Sequence, residues 1–387
     1  MRVPALVPRL QPFTSTIFAE MTALAVQHDA VNLGQGFPDT DGPESMLEAA
    51  RSAISAGVNQ YPPGPGMPVL RAAVAAHRSR YGLSYDPDSE VLVTVGATEA
   101  IAASLLALVE PGDEVILIEP YYDSYAASVA MAGATRVTVG LREDESGRLA
   151  LDVDALRAAV TPRTRAVLVN SPHNPTGTVF RLEELQAIAA LCVEHDLLAI
   201  TDEVYEHLVF DGLTHIPLAS LPGMAPRTLS ISGAGKTFNC TGWKIGWACG
   251  PAELVSAVRA AKQFMTFVGG APFQPAVAHA LTAELDWVTS LRDSLASKRA
   301  RLAEGLRAAG FEVRSSEGTY FICADVRPLG YTDGLALCRE LPAKIGVTAV
   351  PVQVFTDHPA DWQHLIRFAF CKQDAVIDEA VARLHKL

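Results

Sequence analysis

The chain has 387 residues, of which 49% are hydrophobic and 19% charged, with a mean hydropathy of +0.19. That supports a sizeable core in two domains, or one large domain with a smaller one appended, and argues against long disordered tails. The net charge of −12, from 31 Lys plus Arg against 43 Asp plus Glu, excludes the basic footprint that non-specific nucleic-acid binding needs.

Six cysteines are scattered without a CxxC pair, and the ten histidines contain no HExxH, so no metal site is expected. Most of the cysteines sit in apolar surroundings, which fits a reducing compartment and a cytoplasmic protein. The N-terminus, MRVPALVPRLQPF, carries prolines and no apolar h-region, so it does not read as a signal peptide. No uninterrupted apolar run approaches the roughly 20 residues that cross a bilayer, so no membrane is expected as a partner.

In chain order, residues 1–42 are Pro-rich and read as irregular, joining either the C-terminal unit or a partner subunit. From about residue 90 to 250, short apolar runs alternate with helical patterns. EVLVTV, EVILIEP, RAVLVNSP, LLAITDE, TLSIS and KIGWACG read as strands. Residues 98–109, 122–131 and 182–195 read as helices, the last with Leu182, Leu185, Ala189 and Cys192 on one face. This α/β alternation predicts a mainly parallel sheet covered by helices on both faces, with ligands at the carboxyl ends of its strands. After Gly250 the pattern predicts a helix over 251–267 and a long helix over 275–309. FEVRSSEGTYFICADV, GVTAVPV and HLIRFAF then read as strands of a smaller α+β unit closed by a helix from Asp374.

The strand ends carry the candidate chemistry. Gly96, Ala97 and Thr98 stand at a helix start, where free N–H groups favour an anion. Tyr121 and Tyr122 follow the second strand and could stack on a planar ring. Asn174 sits in the rigid turn SPHNPTG, which can aim its amide at a ligand oxygen. Asp202 closes an apolar strand, a setting that calls for a cationic partner. Lys236 lies among small residues in SGAGKTFNCTGWKIGW, with a second cation, Lys244, eight positions on. A desolvated lysine beside another cation loses its proton readily and becomes a carbonyl nucleophile.

The ordered run GATEA, EPYYDSY, NSPHNPTG, ITDEVYEHLVF, SGAGKTFNCTGWKIGWACG and IRFAF resembles the class I aminotransferases, pyridoxal-phosphate enzymes of fold type I. NLGQGFPD and NQYPPGPG look like the branch holding kynurenine, glutamine and methionine aminotransferases and cysteine-conjugate β-lyases. VTVGATEAIAA and NCTGWKIGWACGPAEL are most similar to bacterial N-succinyldiaminopimelate aminotransferases.

The resemblance implies a small domain built from both chain ends, with an N-terminal arm over 1–45, a large domain over 46–285 and the C-terminal unit over 286–387. It implies that Lys236 binds pyridoxal 5′-phosphate as a Schiff base and then moves the substrate's α-proton. Asp202 would bond the ring nitrogen, Asn174 and Tyr205 the ring oxygen, and Tyr122 would stack on the ring. Ala97, Thr98 and Lys244 would hold the phosphate, with Tyr61 reaching the phosphate of the neighbouring subunit in a homodimer. Arg367 would fork onto the substrate α-carboxylate, helped by Gly36 and Asn174. Phe18 and Phe267 are candidate pocket walls. Two positions depart from common patterns of the family: Gly233 stands three before the lysine where a serine is frequent, with Ser232 one position earlier, and Lys244 stands where arginine is frequent.

The implied reaction moves an amino group from an amino-acid donor to a 2-oxo acid acceptor, here N-succinyl-LL-2,6-diaminopimelate with 2-oxoglutarate, in lysine and cell-wall precursor synthesis. A transcription regulator with an aminotransferase-like sensor would need a DNA-binding module, for which the roughly 30 residues before NLGQG are too few. No GxGxxG or GxxxxGK[ST] follows a predicted strand, which disfavours a doubly wound nucleotide enzyme.

Overall fold

The computed structural model describes residues 5–14 and 16–387. Residues 1–4 and 15, part of the segment read as irregular, lie outside the described residues.

Eight strands form the large sheet: β1 (Val91–Val95), β2 (Glu114–Glu119), β3 (Thr135–Glu143), β4 (Leu149–Leu151), β5 (Thr164–Asn170), β6 (Leu198–Asp202), β7 (Thr228–Gly233) and β8 (Ile245–Cys249). Their order is β1-β8-β7-β6-β5-β2-β3-β4. The run β7-β6-β5-β2-β3 is parallel, while β8 is antiparallel to both its neighbours and β4 is antiparallel to β3. The inner strands β2 and β7 are buried at every position, as a sheet covered on both faces requires; β2 does so with the apolar run Val115–Ile118, whereas β7 alternates Leu229 and Ile231 with small hydroxyl residues. Sequence reading omitted β3 and β4, whose half-buried, polar-interrupted residues lack such a run.

The smaller sheet, ordered β9 (Glu312–Val313), β10 (Phe321–Asp325), β12 (Leu365–Ala369) and β11 (Val350–Pro351), is antiparallel throughout. The beginning of the chain joins this unit: Val31–Asn32 pair in parallel with Val347–Thr348, and Met21 and Leu33 share its core with Phe321, Phe368 and Phe370.

Four boundaries differ from expectation. The N-terminal stretch contains a helix over Ile17–Gln27, held by burying Met21 and Ala25. The helix expected over 251–267 ends at Lys262, whose amine folds back onto the Phe267 carbonyl at 2.5 Å. The long helix splits into Phe273–Ala283 and Leu285–Ala308 because Glu284 leaves helical geometry and takes a hydrogen bond from Ser45. FEVRSSEGTYFICADV forms β9 and β10 with a loop between them, since Glu317 and Gly318 donate their N–H groups to the Gly177 carbonyl. That anchor carries Tyr320 over the carboxyl ends of the large sheet.

The turn after β6 has two faces. Asp202 and Tyr205 face the cavity described below, while Glu203 and Glu206 point away into a buried cluster. Arg78, the last residue of the Pro68–Arg78 helix, bonds Glu203 at 2.6 Å and Glu206 at 3.0 Å. Burial alone would raise both carboxyl pKa values. Arg78 outweighs it, holding Glu203 down to about 2 and Glu206 below the usual range. His77 and His207 stand beside Glu206 with their Nε2 atoms 2.9 Å apart. Glu206, however, already gives its two oxygens to Arg78 and Ser232, and Arg80 donates to His207.

Removing Arg78 leaves two buried carboxylates without a cation. Arg78→Met should therefore lower unfolding stability at pH 7 by about 3–5 kcal/mol. A depressed carboxyl pKa contributes stability that is present above the unfolded value of about 4.3 and lost as pH falls through the folded value. Urea titrations at pH 7 and pH 4 should show the deficit shrinking at the lower pH; an equal deficit at both contradicts the ion-pair account.

Candidate active site

A cavity of about 320 Å³ opens at the carboxyl ends of the parallel strands. Phe18, Gly36, Ala97, Thr98, Tyr122, Asn174, Asp202, Tyr205, Lys236, Lys244 and Arg367, eleven of the twelve residues named as candidates for cofactor or substrate, line it. Tyr61 does not: it stands 82% exposed, edge-on to Phe267 at 5.5 Å. Phe267, expected as a pocket wall, is likewise outside the lining, and Phe321 and Phe18 supply the aromatic wall instead.

Lys236 sits in a one-turn helix just beyond β7. Gly235 packs so closely on Thr241 that an added Cβ would come within 3.1 Å of it. The amine reaches the Tyr320 hydroxyl at 2.7 Å and the Gly36 carbonyl at 3.2 Å. It is partly open to the cavity but has protein on every side. Desolvation, reinforced by Arg367 and Lys244 and opposed by Asp202 and Cys371, pushes its pKa down to about 8.

Asp202 ends β6 almost wholly buried, and no protein cation bridges it among the described residues. Among the described residues the expected cationic partner is not in contact with Asp202, and Lys236 acts on it only through space. Instead Tyr125 donates to its carboxylate at 2.6 Å and the Val204 N–H at 3.3 Å. Burial raises the pKa of Asp202, and these two donors act against that rise. A buried acid held by neutral donors and facing a cavity fits a ligand with a cationic nitrogen.

Arg367, on β12, is 1% exposed. One guanidinium nitrogen donates to Asn174 Oδ1 at 2.8 Å and another to the Gly34 carbonyl at 3.1 Å, while its Nε has no partner. The guanidinium lies 3.9 Å above the Phe321 ring, with Phe18 and Phe355 farther out. A stacked guanidinium that lines the cavity and is held by only two neutral acceptors suits an incoming carboxylate.

Tyr122 lines the cavity edge-on to Tyr125, its phenol pushed up to about 12 by burial. Gly96 begins the Gly96–Leu108 helix with φ 74°, and a Cβ there would lie 3.1 Å from the Lys244 amine. Helix N–H groups and a lysine amine thus converge on one point, with the exposed Thr98 hydroxyl beside them. Gly233 contributes backbone to the lining, while Ser232 turns away to Glu206 at 2.6 Å.

Sequence reasoning missed Tyr125, Gln35, Thr241, Phe321 and Tyr320. Tyr125 was within reach, three positions after Tyr122 on a predicted helix. Tyr320 carries no local signal, because it arrives from the other unit, 84 positions from Lys236.

An anion point, a buried acid without a protein cation, a weakly basic amine and an open-handed guanidinium together fit pyridoxal phosphate and an amino acid. Comparison with known proteins points the same way. The model of the family "Aminotransferase class I and II" matches residues 28–384. The "Probable N-succinyldiaminopimelate aminotransferase DapC" of Mycobacterium tuberculosis is 62% identical, over 98% of each chain. A solved structure of N-succinyldiaminopimelate aminotransferase from Mycobacterium tuberculosis superposes with a TM-score of 0.97 at 63% identity, covering 98% of this chain and 99% of that one. The methionine aminotransferase of Escherichia coli is 38% identical, over 98% of this chain and 97% of its own.

Acylation of the cofactor-free protein with peptide mapping should find Lys236 half-maximally reactive near pH 8, well below an ordinary lysine at 10.5. Titration together with the surface lysines would show that the amine is not enclosed as described.

Proposed function

This chain belongs to the class I and II aminotransferases, and we propose that it transfers the amino group between N-succinyl-LL-2,6-diaminopimelate and 2-oxoglutarate with pyridoxal phosphate as cofactor. The observation that carries the substrate assignment is 62% identity across 98% of both chains. The cavity's three cations, Lys236, Lys244 and Arg367, suit a phosphorylated cofactor and carboxylate substrates.

When bound, the cofactor supplies an aldehyde carbon and a protonated ring that draws electrons from the substrate's α-carbon. Lys236, neutral in a large fraction of molecules near pH 8, provides the amine that binds it and the base that takes the α-proton. Asp202, braced by Tyr125, would keep a proton on the ring nitrogen. Asn174 and Tyr205 would donate to the ring oxygen, Tyr122 would lie against the ring, and Ala97, Thr98 and Lys244 would hold the phosphate. Arg367 grips the α-carboxylate, with Gly36 and Asn174 beside it, so that the α-C–H bond is presented to Lys236. Gln35 is a further polar side chain of the lining, available to a longer substrate.

A homodimer belongs to the same proposal, with Tyr61 serving the neighbouring site; its nearly full exposure in one chain supports this. So does a cytoplasmic location, supported by six unpaired, buried cysteines. The second reading is a methionine- or kynurenine-type transaminase, or a cysteine-conjugate β-lyase, favoured by the aromatic wall of Phe18 and Phe321 and by 38% identity to the Escherichia coli enzyme.

Comparing kcat/KM for N-succinyl-diaminopimelate, methionine, kynurenine and a cysteine conjugate separates these readings. The first should be the best donor, and finding it among the poorest refutes the assignment. Arg367→Lys removes the fork and should raise KM for the donor about 10- to 100-fold, the cost of losing a charged hydrogen-bonded pair. An unchanged KM would remove Arg367 from carboxylate binding.

A further inference from the structure

We propose that Tyr320 is a catalytic residue of this site: its hydroxyl and the Gly36 carbonyl form a two-oxygen cradle that holds the Lys236 amine while it carries the proton. The inference rests on the reading of Lys236 as the base and assigns that base its partner.

Three atoms close a triangle. Lys236 Nζ lies 2.7 Å from Tyr320 Oη and 3.2 Å from Gly36 O, and Tyr320 Oη lies 2.6 Å from the same Gly36 oxygen. The phenol gives its proton to Gly36 O, so its lone pairs face the amine. Two N–H bonds of Lys236 then rest on two oxygens, and the remaining position points into the cavity. When the amine takes the α-proton, the C–H electron pair stays with the substrate and Nζ becomes an ammonium. Two of its three N–H bonds lie on the cradle, and the third is the proton it hands on.

Tyr320 is not itself the base. It is 1% exposed, packed edge-on against Tyr205 at 5.3 Å and against Phe321 at 4.9 Å. Burial pushes its ionisation well above the ordinary value, so it acts as a neutral dipole. The charged and titratable groups facing the amine are Asp202, Arg367, Lys244, Cys371, Tyr205 and Tyr320. Arg367 and Lys244 disfavour the ammonium. Among the described residues, the cradle oxygens are the hydrogen-bond partners that favour it. An amine that loses its proton easily needs such partners to accept one from carbon.

Gly36 leaves no room for a side chain, since a Cβ there would lie 2.5 Å from the Phe321 ring, so the segment that carries this carbonyl packs directly on Phe321.

The test is Tyr320→Phe, which keeps the ring and removes the oxygen. In the cofactor-free protein the acylation midpoint of Lys236 should fall by about one pH unit, because an acceptor for the charged form is gone. In the holoenzyme kcat should fall about 10- to 100-fold with KM within about threefold, and the isotope effect with α-deuterated donor should rise. Replacing Tyr320 with 3-fluorotyrosine, a weaker acceptor, should move the midpoint in the same direction by less, and it serves if the phenylalanine variant does not fold. An unmoved midpoint overturns the proposal whatever happens to kcat, since packing loss alone would lower kcat without it. Lys236→Ala with added small primary amines tests the base separately. Rescue upholds Lys236 even where the Tyr320 result is negative, and no rescue in a cofactor-loaded variant overturns both.

Discussion

The constraint on which the site depends is the turn that follows β6, because it must bury four polar side chains on two sides at once. Glu203 and Glu206 are tolerable inside chiefly because Arg78 meets both, with hydrogen bonds from Thr201 and His215 to Glu203 and from Ser232 to Glu206. With that face satisfied, the same turn can hold Asp202 and Tyr205 rigidly toward the cavity. Asp202 has no such bonded cation among the described residues. The protein thus leaves one acid incompletely compensated where a ligand can complete it, and fully compensates the two that serve only to anchor it. That asymmetry between neighbouring carboxylates separates a site from a structural ion pair more clearly than burial does, since all three are buried.

A second constraint comes from the meeting of the two units. The large sheet supplies Lys236, Asp202 and Asn174, and the smaller unit supplies Arg367 and Tyr320, with Gly34 and Gly36 from the chain's beginning. The contacts Arg367–Asn174 and Lys236–Tyr320 cross between the units, so the distance from the Lys236 amine to the Arg367 guanidinium is set by how they pack. The Glu317 and Gly318 N–H groups on the Gly177 carbonyl fix that packing beside the Asn174 turn.

The sheet and most of the site were legible in the sequence because both follow local rules. Apolar runs ending in polar or glycine clusters marked the strands, and Asn174, Asp202 and Lys236, which line the cavity, stand at or just beyond those ends. What was illegible depended on contacts distant in sequence. The helix break at Glu284 answers to Ser45, and the split between β9 and β10 to Gly177. Tyr320 belongs to this class. Nothing in EGTYF distinguishes a packed phenol from one that faces an amine, and only the folded chain brings the two together.

The electrostatics of the cavity run against those of the whole. A chain with a net charge of −12 repels anions at long range, yet three of the cavity's four charged side chains are cations. Beyond a Debye length of about 10 Å the global charge is screened, so capture is decided at the mouth by local groups. There the cations are used in different ways. Lys244 is exposed and acts as a point charge at a helix start, whereas Arg367 is stacked and committed on two of its nitrogens. Lys236 is kept from being a full cation first by its own desolvation, and the other two add to that effect. The two cations that would draw an anionic substrate in thus add to the desolvation that makes the third amine weakly basic, so the proposed binding charge and base strength are linked in one arrangement.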